Sequence, residues 1–278
     1  CAYCSFVSYT SQRLLSLIPE YIERVCTDVR ETLKTINELG LHLKTVYIGG
    51  GTPTILDPNQ LRKLLSTICE GTDVSLLEEF TLESGRPDTI TAEKFAVAKE
   101  YSVDRVCVNP QSLCDEVLAN IGREHTSGEF FRAYDIARGS GIKYINTDLI
   151  VGLPGDNFRT FSATYDKILQ LRPDNITVHT FCVKKSSDIL RRGSEVYSLR
   201  GGDAGKCVDY SQIKSVQAGY KPYYMYRQKN TAGYAGSSGQ ENIGFAREGK
   251  ECLYNILIME EMQSIAALGA GASTKCYD

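Results

Sequence analysis

Three sets of residues in this 278-residue chain have the types and spacing to do chemistry. The first is Cys1-Ala2-Tyr3-Cys4, two thiols with an aromatic residue between them. Such a pair could be a redox dithiol, half of a zinc site or part of an iron–sulfur site. A zinc site needs a second Cys/His pair, and His42, His125 and His179 stand apart from one another. A redox dithiol usually opens a helix, whereas the polar stretch 8–13 and Pro19 place a loop after Cys4. The pair alone leaves all three chemistries open.

The second set is Gly49-Gly50-Gly51-Thr52-Pro53-Thr54, directly after an apolar run that reads as a strand. Glycines let the backbone approach a ligand and offer it N–H and C=O groups, and α/β folds place ligands at this end of a strand. It is not a dinucleotide fingerprint, because the spacing differs and Pro53 interrupts the helix start. A decoy lies at Gly244-x-x-x-x-Gly249-Lys250, where Glu251 replaces the hydroxyl residue that a phosphate loop uses for Mg²⁺. The third set comprises Glu83, Gln111 and Asp148, at or beyond strand ends, and Arg123 after a helix. Polar groups converging on one face of a β/α barrel are the expected form of a site.

Alternating elements must position these residues. Helical periodicity covers 19–39, with Ile22, Val25, Val29, Leu33 and Ile36 on one stripe and Gly40 as the stop. Strands are expected at 44–48, 79–83, 105–108, 143–151 and 175–181. Helices are expected from Asp57-Pro58 to 69, and at 91–101, 114–121, 127–140 and 157–171. Short Gly/Pro/Asp joints between them argue right-handed βαβ units and a parallel sheet. The five strands, with a sixth leading into the cysteine loop from upstream of residue 1, predict a partial (β/α)6 TIM-like barrel rather than a closed eight-stranded one. The alternation fades after 185. Residues 186–206 read as a linker, 206–218 as a helix, 221–228 as a Tyr-rich strand and 230–249 as irregular. The expected organisation is therefore a barrel over 1–185 and a C-terminal appendage over 186–278, with both ends of the sequence lying inside a longer protein.

Composition narrows the classes. A net charge of −3 implies no general polyanion-binding surface and so no nucleic-acid partner. No run of about 18 apolar residues offers a membrane span. Ten cysteines, mostly in strand or helix contexts such as Val106-Cys107-Val108, read as small buried hydrophobes in a reducing cytoplasm rather than a disulfide framework.

Taken together, these residues resemble the radical S-adenosylmethionine enzymes, and within them the oxygen-independent coproporphyrinogen III oxidase (coproporphyrinogen dehydrogenase) family. Cys1 and Cys4 match the second and third cysteines of the family's C-x-x-x-C-x-x-C motif, followed by the family-like Ser5-Phe6; its first cysteine would precede residue 1. The 49–54 loop matches G-G-G-T-P-T letter for letter, and 148–155 matches D-L-I-x-G-L-P-G. Gln111 and Arg123 match in spacing and context. The resemblance is specific over about 1–185, and the segment from Tyr223 to Lys275 looks like the dehydrogenase branch. Two stretches depart from the wider family. Asn109-Pro110-Gln111 stands where Gly-Val-Gln is usual, and His179-Thr180-Phe181-Cys182 replaces an aromatic-Asn-Tyr-Ala stretch.

The resemblance implies a [4Fe–4S] cluster held by Cys1, Cys4 and the upstream cysteine, with S-adenosylmethionine on the fourth iron. It implies that Gly50, Gly51 and Thr52 contact the amino-acid end of that cofactor and that Arg123 binds its carboxylate. Glu83 would bear on the ribose or amino group, and Gln111 and Asp148 on ribose hydroxyls. A one-electron donor of flavodoxin or ferredoxin type would start a 5′-deoxyadenosyl radical reaction on a tetrapyrrole, converting propionates to vinyl groups. A haem-binding or haem-delivery role on the same scaffold, or action on another tetrapyrrole, is the alternative. Lys184, Lys185, Arg227, Lys229 and Tyr223, Tyr224 and Tyr226 are candidates for meeting substrate carboxylates, and Tyr3 and Phe6 for shielding the cluster.

Overall fold

The structure is a computed structural model that describes residue 4 and residues 12–181, 201–227 and 241–277. After one helical turn, α1 (Gln12–Leu15), the long helix α2 (Ile18–Glu38) buries Ile22, Cys26, Val29 and Leu33 at i, i+3 or i+4 spacing. It packs on α3 (Pro58–Gly71). The start of α3 is fixed locally. Asp57 Oδ1 accepts from the backbone N–H of Asn59 (2.8 Å) and Gln60 (2.9 Å), and Gln60 Oε1 accepts from that of Asp57 (3.0 Å). A cap of this kind contributes ~1 kcal/mol. Helices α4 (Ala92–Glu100), α5 (Asp115–Asn120), α6 (Ser127–Gly139) and α7 (Phe158–Leu171) follow, and capping boxes at Thr126/Glu129 and Asn157/Thr160 open the last two.

Five strands alternate with these helices: β1 (Thr45–Ile48), β2 (Glu79–Leu82), β3 (Arg105–Cys107), β4 (Tyr144–Val151) and β5 (Asn175–Thr180). All pair in parallel in chain order, with Thr45 opposite Glu79, Arg105 opposite Tyr144 and Asn146 opposite Asn175. This is the expected half-barrel. Beyond it, α8 (Gly201–Gln217) begins before the expected helix, so the last residues of the stretch read as linker are helical. Strand β6 (Lys221–Arg227) lies as expected, but β7 (Glu241–Ala246) occupies part of the segment read as irregular. Strand β7 pairs antiparallel with β5 and β6 with β7, giving, among the described residues, one seven-stranded sheet in the order β1-β2-β3-β4-β5-β7-β6. Gly244, taken for loop, is required within β7 because a Cβ there would collide with the ring of Tyr224.

The amino-terminal ends of the strands carry a buried charge network. Glu79 and Arg105 open β2 and β3 and pair at 2.9 Å, both almost fully buried. Arg105 also donates to Asn146 Oδ1 (2.7 Å), to Asn175 Oδ1, and to the carbonyl of Glu251 (2.8 Å). Glu79 in turn accepts from the backbone N–H of Leu253 (2.9 Å) and Tyr254 (3.0 Å), at the start of α9 (Leu253–Met259). A carboxylate from the sheet thus caps the last helix, where the helix dipole favours negative charge. Helix α9 reaches both edge strands. Tyr254 stacks on Tyr47 of β1, with ring centroids 4.1 Å apart, and Asn255 donates to Tyr223 Oη of β6 at 3.1 Å. No helix among the described residues is long and apolar enough to cross a membrane.

Candidate active site

At the opposite, carboxyl ends of the strands, the glycine loop follows β1. Gly50 takes φ +101°, a region open to glycine, and a Cβ at Gly50 or Gly51 would meet nothing within 4 Å, so the loop faces open space. Thr52 is extended and leads into a 3-10 turn, Pro53–Ile55. The loop is tied to the next strand–helix joint. Thr54 Oγ1 lies 2.6 Å from Thr89 Oγ1, and Lys94 Nζ donates to the carbonyls of Thr54 (2.6 Å) and Thr89 (3.0 Å).

Glu83 is the residue after β2. Burial, and then the nearby Asp148 carboxylate, push its carboxyl up from 4.5 to about 7; the hydrogen bond from Tyr47 Oη and the charges of His179 and Arg123 act the other way. The Tyr47 hydroxyl is itself pushed well above its usual value by burial and Glu83, so it stays protonated and donates. Gly49 is required here, since a Cβ would run into the Tyr47 ring.

Asp148 sits within β4. Its Oδ2 accepts from Asn109 Nδ2 at 2.9 Å, its backbone N–H donates to Asn109 Oδ1 at 3.1 Å, and His179 Nε2 of β5 lies 3.8 Å from Oδ2. Gln111 is held in the left-handed region, φ +66°, by a bridge to β4: its N–H donates to the Asp148 carbonyl and its carbonyl accepts from Ile150, each at 3.1 Å. Gln111 Oε1 is buried without a hydrogen-bond partner among the described residues. A strained residue with an unsatisfied amide oxygen is the form expected of a ligand contact. Arg123 follows α5, whose Val117 and Leu118, with Ile121 just beyond its end, pack against Ile150, Leu153 and Phe181 at this end of the barrel.

The fold therefore gathers Glu83, Gln111, Arg123 and Asp148 at the carboxyl face beside the loop bearing Gly50, Gly51 and Thr52. Cys4 is a half-buried free thiol, and no three His, Cys, Asp or Glu side chains of the described residues converge as a metal site. Cys1, Tyr3, Phe6, Lys184, Lys185 and Lys229 lie outside the described residues. Tyr223 and Tyr224 are half-buried in β6, and Tyr226 is exposed. Sequence reasoning did not assign Tyr47, Lys94, Asn109 or His179 to the site. The signal for the last two was present, because both lie in the stretches that depart from the wider family, and both flank Asp148.

A family model described as the Radical SAM superfamily matches residues 1–168. The chain is 36% identical over 280 aligned residues, all of its length and 55% of the relative's, to the oxygen-independent coproporphyrinogen-III oxidase-like protein HemZ of Bacillus subtilis. It is 34% identical to the haem chaperone HemW of the same organism, over 69% of this chain and 51% of that one. Among solved structures, coproporphyrinogen III oxidase HemN of Escherichia coli superposes over 99% of this chain and 61% of its own, with a TM-score of 0.74 and 18% identity. The chain thus spans between half and two thirds of the length of these relatives.

Proposed function

The chain belongs to the radical SAM superfamily, and from that premise we propose that it is the catalytic half-barrel of an enzyme that oxidatively decarboxylates coproporphyrinogen III propionates to vinyl groups without oxygen. Its cofactors are a [4Fe–4S] cluster and S-adenosylmethionine, which when bound together supply reductive cleavage of the sulfonium and a hydrogen-abstracting radical. The residues present suit that cofactor: an open glycine cradle, an unsatisfied buried Gln111 oxygen and a mixed carboxylate–guanidinium cluster meet at one face.

In this reading Cys1 and Cys4 supply two of the cluster's thiolates. Gly50, Gly51 and Thr52 offer backbone groups to the cofactor's amino-acid end, and Arg123 takes its carboxylate. Glu83 faces the ribose or the ammonium, while Gln111 and Asp148 take ribose hydroxyls, with Asn109 fixing the Asp148 rotamer. Each propionate converted would give up a hydrogen atom to the 5′-deoxyadenosyl radical, CO₂, and one electron to a separate one-electron acceptor, to leave a vinyl group. A flavodoxin- or ferredoxin-like protein would provide the starting electron.

The observation that supports the substrate assignment is that the oxidase-like relative is 36% identical over the whole length of the chain, strands β6 and β7 included, whereas the haem chaperones that align over 88–99% of it are 27–29% identical. The likeness to the haem chaperones supports the second reading, haem delivery. One experiment separates them. The full-length protein, reconstituted with iron and sulfide, is incubated anaerobically with S-adenosylmethionine, reductant and coproporphyrinogen III. Vinyl-bearing product together with 5′-deoxyadenosine supports the oxidase; tight haem binding with no product supports delivery.

A further inference from the structure

Helix α9 reaches toward the cofactor face through the side chain of Tyr254. Its amino terminus is fixed at the floor of the barrel by Glu79, yet Tyr254, in its first turn, stacks on Tyr47 at 4.1 Å with the ring planes 13° apart. Tyr47 is pinned on three sides. Tyr254 covers one face, Gly49 leaves room for the ring edge, and the hydroxyl donates to Glu83 Oε2. A carboxylate at a strand end has several rotamers, and one donor on one oxygen selects among them while leaving the second oxygen for a ligand.

We propose that Tyr47 is a positioning residue of the cofactor site, holding the Glu83 carboxylate in its binding orientation, and that Tyr254 of α9 holds Tyr47. The C-terminal segment is then part of the cofactor pocket's construction although it contributes no cofactor ligand. This rests on the reading of Glu83 as a cofactor contact. The groups that bear on Glu83 are Tyr47 of β1, Cys107 of β3, Arg123 after α5, Asp148 of β4, His179 of β5 and Tyr254 of α9. Of these, Tyr47 makes a hydrogen bond to the carboxylate, and that bond favours its charged form.

The test is equilibrium dialysis of S-adenosylmethionine against cluster-reconstituted full-length protein across the neutral pH range, with folding checked by thermal melting. Tyr47→Phe keeps the stacked ring and removes only the donor. We expect affinity near neutrality to fall on the order of tenfold, as for loss of a hydrogen bond to a charged group, and the pH midpoint of binding to move upward. Tyr254→Leu should give a weaker loss in the same direction, and Tyr254→Phe should restore the native value. A packing role alone would leave the pH midpoint of Tyr47→Phe where it was, which overturns the proposal. Glu83→Gln separates the layers. If it weakens binding while Tyr47→Phe does not, the inference fails alone; if it leaves binding unchanged, the cofactor role of Glu83 fails and takes the inference with it.

Discussion

Asn109, just past β3, and Asp148 of β4 lock each other: the amide nitrogen donates to the carboxylate at 2.9 Å and the amide oxygen accepts from the Asp148 backbone at 3.1 Å. Asn109 is buried and uses both ends of its side chain on one neighbour. Asn109→Ala removes both bonds and leaves a carboxylate oxygen and a backbone N–H with fewer partners. We expect unfolding free energy to drop by about 1–3 kcal/mol and S-adenosylmethionine binding to weaken. Asn109→Asp should be worse on both counts, because it sets a second carboxylate against the first. Urea unfolding and equilibrium dialysis read the two effects separately; equal behaviour of the two variants would show that charge at this position is irrelevant.

Glu79 does two jobs at the floor of the barrel, pairing with Arg105 and capping α9. Removing one partner of a buried pair strands the other and costs about 3–5 kcal/mol. Glu79→Ala and Arg105→Met should both destabilise the fold on this scale. Only the first removes the acceptor of the Leu253 and Tyr254 amides, whereas the second loosens the Lys250 and Glu251 carbonyls just before them. Hydrogen exchange of the Leu253 and Tyr254 amides should therefore accelerate more in Glu79→Ala than in Arg105→Met. Equal acceleration would mean that α9 is held by general stability and not by the Glu79 cap.

The parallel half of the sheet and the residues on its carboxyl face were legible because local rules and global fold agree there. Asp57-Pro58, the glycine loop and the apolar runs each announce an element by composition. The antiparallel strand β7 was not legible. Its sequence, Glu241-Asn242-Ile243-Gly244-Phe245-Ala246, carries a glycine that reads as a turn, and only the cross-strand ring of Tyr224 explains it. The same limit applies to Tyr47. Within an apolar strand it reads as core, and its partner Glu83 is 36 residues away in the chain. Asn109 and His179 were visible only as departures from a family pattern; that both flank Asp148 is a property of the register between β3, β4 and β5.

Lys94 ties the glycine loop to the joint after β2 through the carbonyls of Thr54 and Thr89. Its ammonium is partly desolvated, and burial lowers its pKa. Lys94→Met keeps the stem and removes the donors, so stability should fall by only about 1–2 kcal/mol. Binding of S-adenosylmethionine should fall several-fold, because the loop it would touch loses its tether. Lys94→Arg should recover part of the affinity. A variant that melts early yet binds normally would place Lys94 in the fold and outside the site.

Two groups near the site, the half-buried Glu83 and the buried His125, oppose each other in their effect on stability with pH. Glu83 is raised from 4.5 to about 7, so between those values the folded chain keeps a proton that the unfolded chain has released; stability from this group falls as pH rises. His125 is lowered from 6.5 to about 4, first by burial and then by Arg123, so between those values the unfolded chain holds a proton that the folded chain refuses; stability from this group rises with pH. Each effect amounts to at most roughly 3–4 kcal/mol at 1.36 kcal/mol per pKa unit. The windows overlap between about 4.5 and 6.5, where the two contributions cancel. Relative to the native chain without cofactor, Glu83→Gln should therefore give a stability that climbs through this range, and His125→Gln one that declines through it. Urea midpoints measured at several pH values across the overlap decide the matter. Slopes that do not separate in opposite directions would mean that neither group is held away from its ordinary titration by the fold.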